Sequence, residues 1–207
     1  ILHDSYHKHK RIVFNGDGYT DAWVKEAEKR GLLNLPSTAE ALPYYARPEN
    51  VKMFEHHGVL TGDEVRSRCE IQLENYCKQL HIEALTMVDM LRKQILPAAS
   101  KYLSVLGSTI TTTQAACPKA KCQYEKDTME KLSSLIDSLY KETGILETDI
   151  ANEESKAGDI EKQAHYVRDT LFVQMEKTRA IADQIEPMVD KTLWPYPTYG
   201  DMLFSVL

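Results

Sequence analysis

The sequence predicts an all-α fold, an antiparallel bundle of about three long helices preceded by an arm of short helices and turns. Three observations carry this. Breakers are few and uneven: residues 1–62 hold five Gly and three Pro, whereas residues 63–194 hold three of each across more than twice the length. Apolar residues recur at helical spacing through that breaker-poor part. Hydrophobic residues make up 43% of 207, enough to bury a core without disulfide staples. The expected organisation is a connecting arm over 1–60, a long-helix bundle over 61–192 and an aromatic, apolar docking tail over 193–207.

In the arm, Arg11-Ile12-Val13-Phe14 reads as a short extended segment. Asn15-Gly16-Asp17-Gly18 reads as a turn, because glycine tolerates positive φ. Thr20 or Asp21 can cap a helix running to about Arg30 that buries Trp23, Val24 and Ala27, with Gly31 placed for a left-handed end. Ser37 or Thr38 starts a second short helix, expected to stop at Pro43. Pro48 suits the first position of a third, which Gly58 ends.

Thr61 and Glu64 have capping-box spacing. The stripe that follows begins Val65, Cys69, Leu73, Tyr76, Leu80 and Ala84. It continues through Met87, Leu91, Ile95, Ala98, Tyr102 and Leu106. Its steps of 4, 4 and 3 give a period of about 3.67 residues, which one face of a nearly straight helix can hold. Pro97 lacks the N–H for the Lys93 carbonyl, so a kink is expected there. The Thr- and Ser-rich run 107–118 reads as a frayed end and a connection.

A second long helix begins near Lys121. Its seam is Met129, Leu132, Ile136, Leu139, Thr143, Leu146 and Ile150, stepping 3 and 4 as a heptad. Gly144 is the position where it could break. Polar residues from Asn152 to Asp159 read as a turn around Gly158. The third helix carries Ile160, Ala164, Val167, Leu171 and Met175, then Thr178, Ala182, Ile185 and Val189, with Pro187 kinking or ending it. Such amphipathic helices are not stable alone, so the stripes must face one another or a partner. Prolines at 195 and 197 forbid a helix at the start of the tail. Its apolar side chains should dock on a body, either this chain's own or another's. Trp194, Tyr196, Tyr199, Leu203 and Phe204 form the candidate interaction surface.

Composition excludes several functions. Net charge −6 argues against a nucleic-acid partner. No apolar run approaches the ~18 residues of a membrane span. The start Ile1-Leu2-His3 has neither an initiator Met nor the layout of a signal peptide, so the expectation is a piece of a longer protein.

Each candidate site has an ordinary reading. His3, His7 and His9 could hold a transition metal, but no fourth ligand follows at clear spacing, and solvated surface is expected. Cys117 and Cys122 lack a second pair, and Cys69 falls on a core stripe, so reduced thiols are the default. Gly16-x-Gly18-x-x-Asp21 lacks the third glycine and the βαβ unit of a dinucleotide site and reads as a capping turn. Glu153-Glu154 and Glu125 with Asp127 sit among lysines and are expected on solvated faces. No P-loop, nucleophile elbow or HExxH is present, so no catalytic, cofactor-binding or metal-binding residue is assigned.

Three strings carry a resemblance. They are His9-Lys10-Arg11-Ile12-Val13-Phe14-Asn15-Gly16-Asp17-Gly18-Tyr19; Leu73-Glu74-Asn75-Tyr76 with Ile82-Glu83-Ala84-Leu85-Thr86-Met87-Val88-Asp89-Met90; and Leu193-Trp194-Pro195-Tyr196-Pro197-Thr198-Tyr199-Gly200-Asp201. Together they resemble the C-terminal region of type III glutamine synthetases, past the catalytic barrel. Residues 107–160 carry no diagnostic string.

The resemblance implies a cytoplasmic parent enzyme of nitrogen metabolism that joins ammonia to glutamate with ATP and Mg or Mn. The metal, nucleotide and phosphate contacts would lie upstream, leaving this part inactive and without a cofactor of its own. Expected partners are the barrel of the same polypeptide and other subunits of a homo-oligomer, with no nucleic acid and no membrane. The expected role is structural and oligomerising. The alternative is a helical binding module for a regulatory protein or partner helix.

Overall fold

A computed structural model describes residues 1–156 and 158–204; of Glu154 and Tyr199 it describes the backbone alone. All regular structure among the described residues is helical. The arm comprises α1 (Leu2–His9), α2 (Asp21–Lys29), α3 (Thr38–Tyr45) and α4 (Pro48–His56). The first long helix runs as α5 (Gly62–Met90), a π-helical turn (Leu91–Ile95) and α6 (Leu96–Ala116). The second is α7 (Gln123–Glu154). The third is α8 (Ile160–Tyr166), a π-helical turn (Val167–Phe172) and α9 (Val173–Ile185). A short α10 (Tyr199–Phe204) follows in the tail.

Two core clusters fix the directions of the long helices. One joins Cys69, Leu73 and Ala84 with Leu146, Ile150 and Leu171. The other joins Leu91, Ile95 and Ala99 with Leu132, Leu139 and Ile185. Numbers rise together along the first and third helices and fall along α7. Thus α7 lies antiparallel to the other two, in an up-down-up bundle whose core is all three stripes.

Every position of the first stripe is buried or half-buried, and the π turn is what allows it. An α-helix turns about 100° per residue, so an eleven-residue repeat leads by about 20° per cycle. A π turn advances less per residue and takes that lead back. Here the Leu96 N–H donates to the Leu91 carbonyl, five residues back. The expected distortion at Pro97 is therefore absorbed one turn earlier, and the helix continues to Ala116.

The 107–118 run is correspondingly helical as far as Ala116, not a frayed connection. Thr109, Thr111 and Thr112 hydroxyls donate to the carbonyls of Val105, Gly107 and Ser108 at 2.8–2.9 Å, so these side chains are satisfied on the helix surface. Helix α7 passes through Gly144 without a break. Its turn follows at Gly158, with φ +124°. Pro187 ends the third helix, where Glu186–Met188 tighten into a 3₁₀ turn.

The arm divides in two. Helices α3 and α4 pack on α5, and α3 also meets α8. The Cys69 thiol donates to the Leu42 carbonyl at 3.3 Å. Arg168 reaches from the third helix to Glu40, 2.8 Å away. Pro43 lies inside α3 rather than ending it, and the helix reaches Tyr45. Asn50 Nδ2 donates to the Tyr44 carbonyl at 2.6 Å, satisfying one acceptor of that terminal turn.

Helix α1 buries no residue. The expected extended segment is a 3₁₀ turn at Lys10–Ile12, and extended backbone starts at Val13. There Arg30 gathers a local knot. It donates to the Arg11 carbonyl at 2.7 Å and the Val13 carbonyl at 3.2 Å, and lies over the Phe14 and Trp23 rings. Trp23 spends its area on Phe14, ring to ring at 4.5 Å, and Val24 is left 43% exposed instead of buried. A Cβ at Gly16 would meet the Phe14 ring at 2.6 Å, so a larger residue there would have to push that ring out of its place against Trp23.

Candidate functional site

The tail folds back on the bundle through its first residues. Asp190 begins the turn, accepting from the Thr192 N–H at 2.7 Å, and its carbonyl accepts from the Leu193 and Trp194 N–H groups. Hydrogen bonds from Thr192 hold the Asp190 carboxyl below its ordinary range. Leu193, Trp194 and Tyr196 then pack against the cluster that contains Leu91, Ile95, Ala182 and Ile185. The Trp194 and Tyr196 rings meet edge to face, 6.4 Å between centroids. The Tyr196 hydroxyl is buried without a hydrogen-bond partner among the described residues. Desolvation, then the charge of Asp89, pushes its ionisation upward.

The candidate surface is thus split. Trp194 and Tyr196 face this chain's own bundle and are half-buried, while Leu203 and Phe204 remain 72% and 81% exposed. The Tyr199 side chain lies outside the described residues. Thr198 and Asp201 set the start of α10 reciprocally: the Thr198 N–H donates to Asp201 Oδ2 at 2.9 Å, and the Asp201 N–H donates to Thr198 Oγ1 at 3.2 Å. Lys191 adds an ion pair to Asp201 at 2.7 Å. That bond first, and those from Thr198 next, lower the Asp201 carboxyl to about 2.

A second constellation was not expected from sequence. Glu153, assigned above to a solvated face, is 2% exposed. Its carboxylate receives the Gln163 amide and lies 2.7 Å from His81 Nδ1. The signal was available: Leu146, Ile150 and Glu153 continue the heptad steps of 4 and 3, so position 153 falls on the seam. Cys77 is buried close by, and its thiol is pushed up to about 11, by burial first and by Glu153 and Glu74 after it. Further along, buried Gln174 donates to the Glu142 carboxylate at 2.7 Å, and the Thr143 and Thr178 hydroxyls return to their own helix carbonyls. Such pairs fix helix register.

The remaining candidates stay apart. His3 and His7 share one face of exposed α1, with ring centroids 4.4 Å apart. Cys117 is exposed, Cys122 half-buried, and both are free thiols. The Gly16–Asp21 segment is a turn: the Asp17 carbonyl accepts from the Thr20 hydroxyl at 2.8 Å, and Thr20 precedes α2. Asp127 accepts from Gln123 on its own exposed turn. Among the described residues, no group of three or more His, Cys, Asp or Glu is placed to hold a metal ion.

The sequence pattern of the family described as Glutamine synthetase C-terminal domain matches residues 1–114. The chain belongs to the glutamine synthetase C-terminal domain family. The match covers the arm and nearly all of the first long helix; similarity to whole proteins runs further. The chain is 36% identical over 206 residues to a glutamine synthetase of Butyrivibrio fibrisolvens, covering all of this chain and 29% of that protein. It is 31% identical over 214 residues to the type-3 glutamine synthetase of Dictyostelium discoideum, covering 99% of this chain and 28% of the relative. A glutamine synthetase of Bacteroides fragilis is 24% identical over 208 residues, with 99% and 28% covered. The chain therefore spans less than a third of the length of the curated relatives it matches. In this glutamine synthetase C-terminal domain, His81 lies within the matched 1–114, whereas its partner Glu153, the Gln174–Glu142 pair and the docked part of the tail lie beyond it but inside the aligned length of those relatives.

Proposed function

We propose that the chain is a non-catalytic structural and oligomerising domain of a cytoplasmic glutamine synthetase, whose ATP-dependent ligation of ammonia to glutamate takes place in the remainder of the polypeptide. ATP and Mg or Mn belong to that remainder. The observation that carries this reading is the coverage: the whole chain aligns with glutamine synthetases, yet accounts for less than a third of each.

The distribution of apolar surface supports a bracing role. The bundle buries its own stripes, and the large apolar side chains left outward include Ile12, Tyr19 and Leu33 in the arm and Met202, Leu203 and Phe204 in the tail, beside others on the bundle such as Ile71 and Ile82. In this reading the arm meets the catalytic part of the same polypeptide, and α10 meets another subunit. No helix among the described residues is long and apolar enough to cross a membrane.

Two measurements test the proposal. The 207-residue chain alone should form no glutamine from glutamate, ammonia and ATP. Deleting residues 194–207 from the full-length enzyme should lower its assembled mass by light scattering. An unchanged mass would remove the tail from assembly, and activity in the isolated chain would remove the non-catalytic reading.

A further inference from the structure

Helices α5 and α9 run parallel and leave an open groove of about 730 Å³ between Ile82–Ile95 on one side and Phe172–Glu186 on the other. Its floor is apolar and rich in methionine, with Met87, Met90 and Met175. Ile82 and Phe172 line it and remain exposed. Trp194 and Tyr196 complete the wall, and the Tyr196 hydroxyl, without a hydrogen-bond partner among the described residues, is buried there. The charged lining is one-sided: Glu83, Glu176, Asp183 and Glu186 against Arg179, which is already paired with Asp183 at 3.5 Å.

We propose that this groove binds a Lys- or Arg-bearing amphipathic helix of a separate protein. Each wall is about 20 Å long at the rise of an α-helix, which matches about thirteen residues of an added helix. Two parallel walls with an apolar floor present the i, i+3, i+4 pattern of a helix-in-groove site. Methionine adapts its shape to an incoming apolar face. The acidic lining complements flanking cations and steers their approach. A second copy of this chain, net charge −6, does not supply that complement overall. The proposal goes beyond the bracing role and does not rest on it.

The test uses a fluorescent Leu/Lys amphipathic peptide of about fourteen residues and its Leu/Glu counterpart, titrated against the full-length protein and the 207-residue chain. The Leu/Lys peptide should bind both forms about tenfold or more tighter than the Leu/Glu peptide, and less tightly as salt rises. Glu176 and Asp183 are exposed, so the double variant Glu176→Lys/Asp183→Lys should fold. It should lose about tenfold in affinity for Leu/Lys and gain affinity for Leu/Glu. The control Glu130→Lys/Asp137→Lys, on exposed α7 positions, should bind as the parent does. Equal binding of the two peptides, or equal loss in both variants, would overturn the proposal. So would binding by the 207-residue chain that vanishes in the full-length protein, which would mean that the protein's own polypeptide fills the groove. Peptide binding that falls as a second copy associates would likewise assign the groove to self-association.

Discussion

His81 Nδ1 on the first long helix lies 2.7 Å from Glu153 Oε2 near the end of the second, across 72 residues of sequence. The pair fixes where α5 and α7 meet, because a one-turn slip would strand a carboxylate inside the bundle. Gln163, from α8, supplies the other bond to the same carboxylate, so three helices converge on one side chain.

Glu153→Ala should therefore destabilise the bundle by about 2 kcal/mol, less than a fully buried pair because the His81 side chain is 22% exposed. Glu153→Gln keeps an acceptor for Gln163 and should cost about 1 kcal/mol. Urea unfolding followed by helical circular dichroism measures both. Equal stability of Glu153→Ala and the parent would show that the pair does not hold the register.

Gly144 offers the opposite sign. It sits inside α7, and a Cβ there would come no closer than 4.0 Å, to Arg92 Nη2. Its cost is paid as backbone entropy with no space gained in return, so Gly144→Ala should stabilise by about 0.5–1 kcal/mol. Arg92 keeps its two bonds to Glu147, at 3.0 and 2.7 Å. A rise of a few degrees in Tm is the expected reading.

The helices were legible because their stripes are long and regular, and Thr61, Gly31 and Gly58 mark ends by local chemistry that no tertiary contact overrides. The π turns were not, since a step of 4 followed by 4 is compatible with α or π winding. In the third helix the sole such double step, Val167–Leu171–Met175, coincides with the π turn. Pro43 and the Thr-rich run misled because propensity treats each residue alone. In the Thr-rich run backbone carbonyls one turn away accept from the hydroxyls, and at the end of α3 the Asn50 amide satisfies the Tyr44 carbonyl. At the site, the apolarity of the tail left open which body it would meet, and the packing of Trp194 on this chain's own bundle came from the fold. The burial of Glu153 was obscured by the polar residues that flank it.

Acid should loosen the tail. The Asp201 carboxyl falls from an ordinary 3.8 to about 2 in the folded chain. A lowered folded value means that its contribution is complete above the ordinary value and is lost as pH falls through the folded one. The start of α10 should thus loosen between about pH 4 and pH 2. The Thr198 amide signal in NMR spectra should report this, and Asp201→Asn should show the loosened signal already at neutral pH. A Thr198 signal that is unchanged in Asp201→Asn would contradict the reciprocal cap.

Alkali should act on the core through Cys77. Its thiol rises from an ordinary 9.0 to about 11 on folding, because burial and nearby carboxylates disfavour the thiolate. Below the ordinary value the thiol is neutral in both states and the folded chain is not penalised. Above it the unfolded chain ionises first, so stability falls between about pH 9 and pH 11. Cys77→Ala should make that limb shallower, with the raised Cys69 thiol contributing to what remains, while lowering stability at neutral pH through the small cavity it leaves. Reactivity follows the same geometry. Thiolate formation and access are both needed for alkylation. Exposed Cys117 should take up iodoacetamide in the native state, and buried Cys69 and Cys77 only after denaturant is added. Mass spectrometry of the peptides orders them, and native labelling of Cys77 as fast as Cys117 would mean that the α5–α7 contact opens far more often than a buried Glu153 permits.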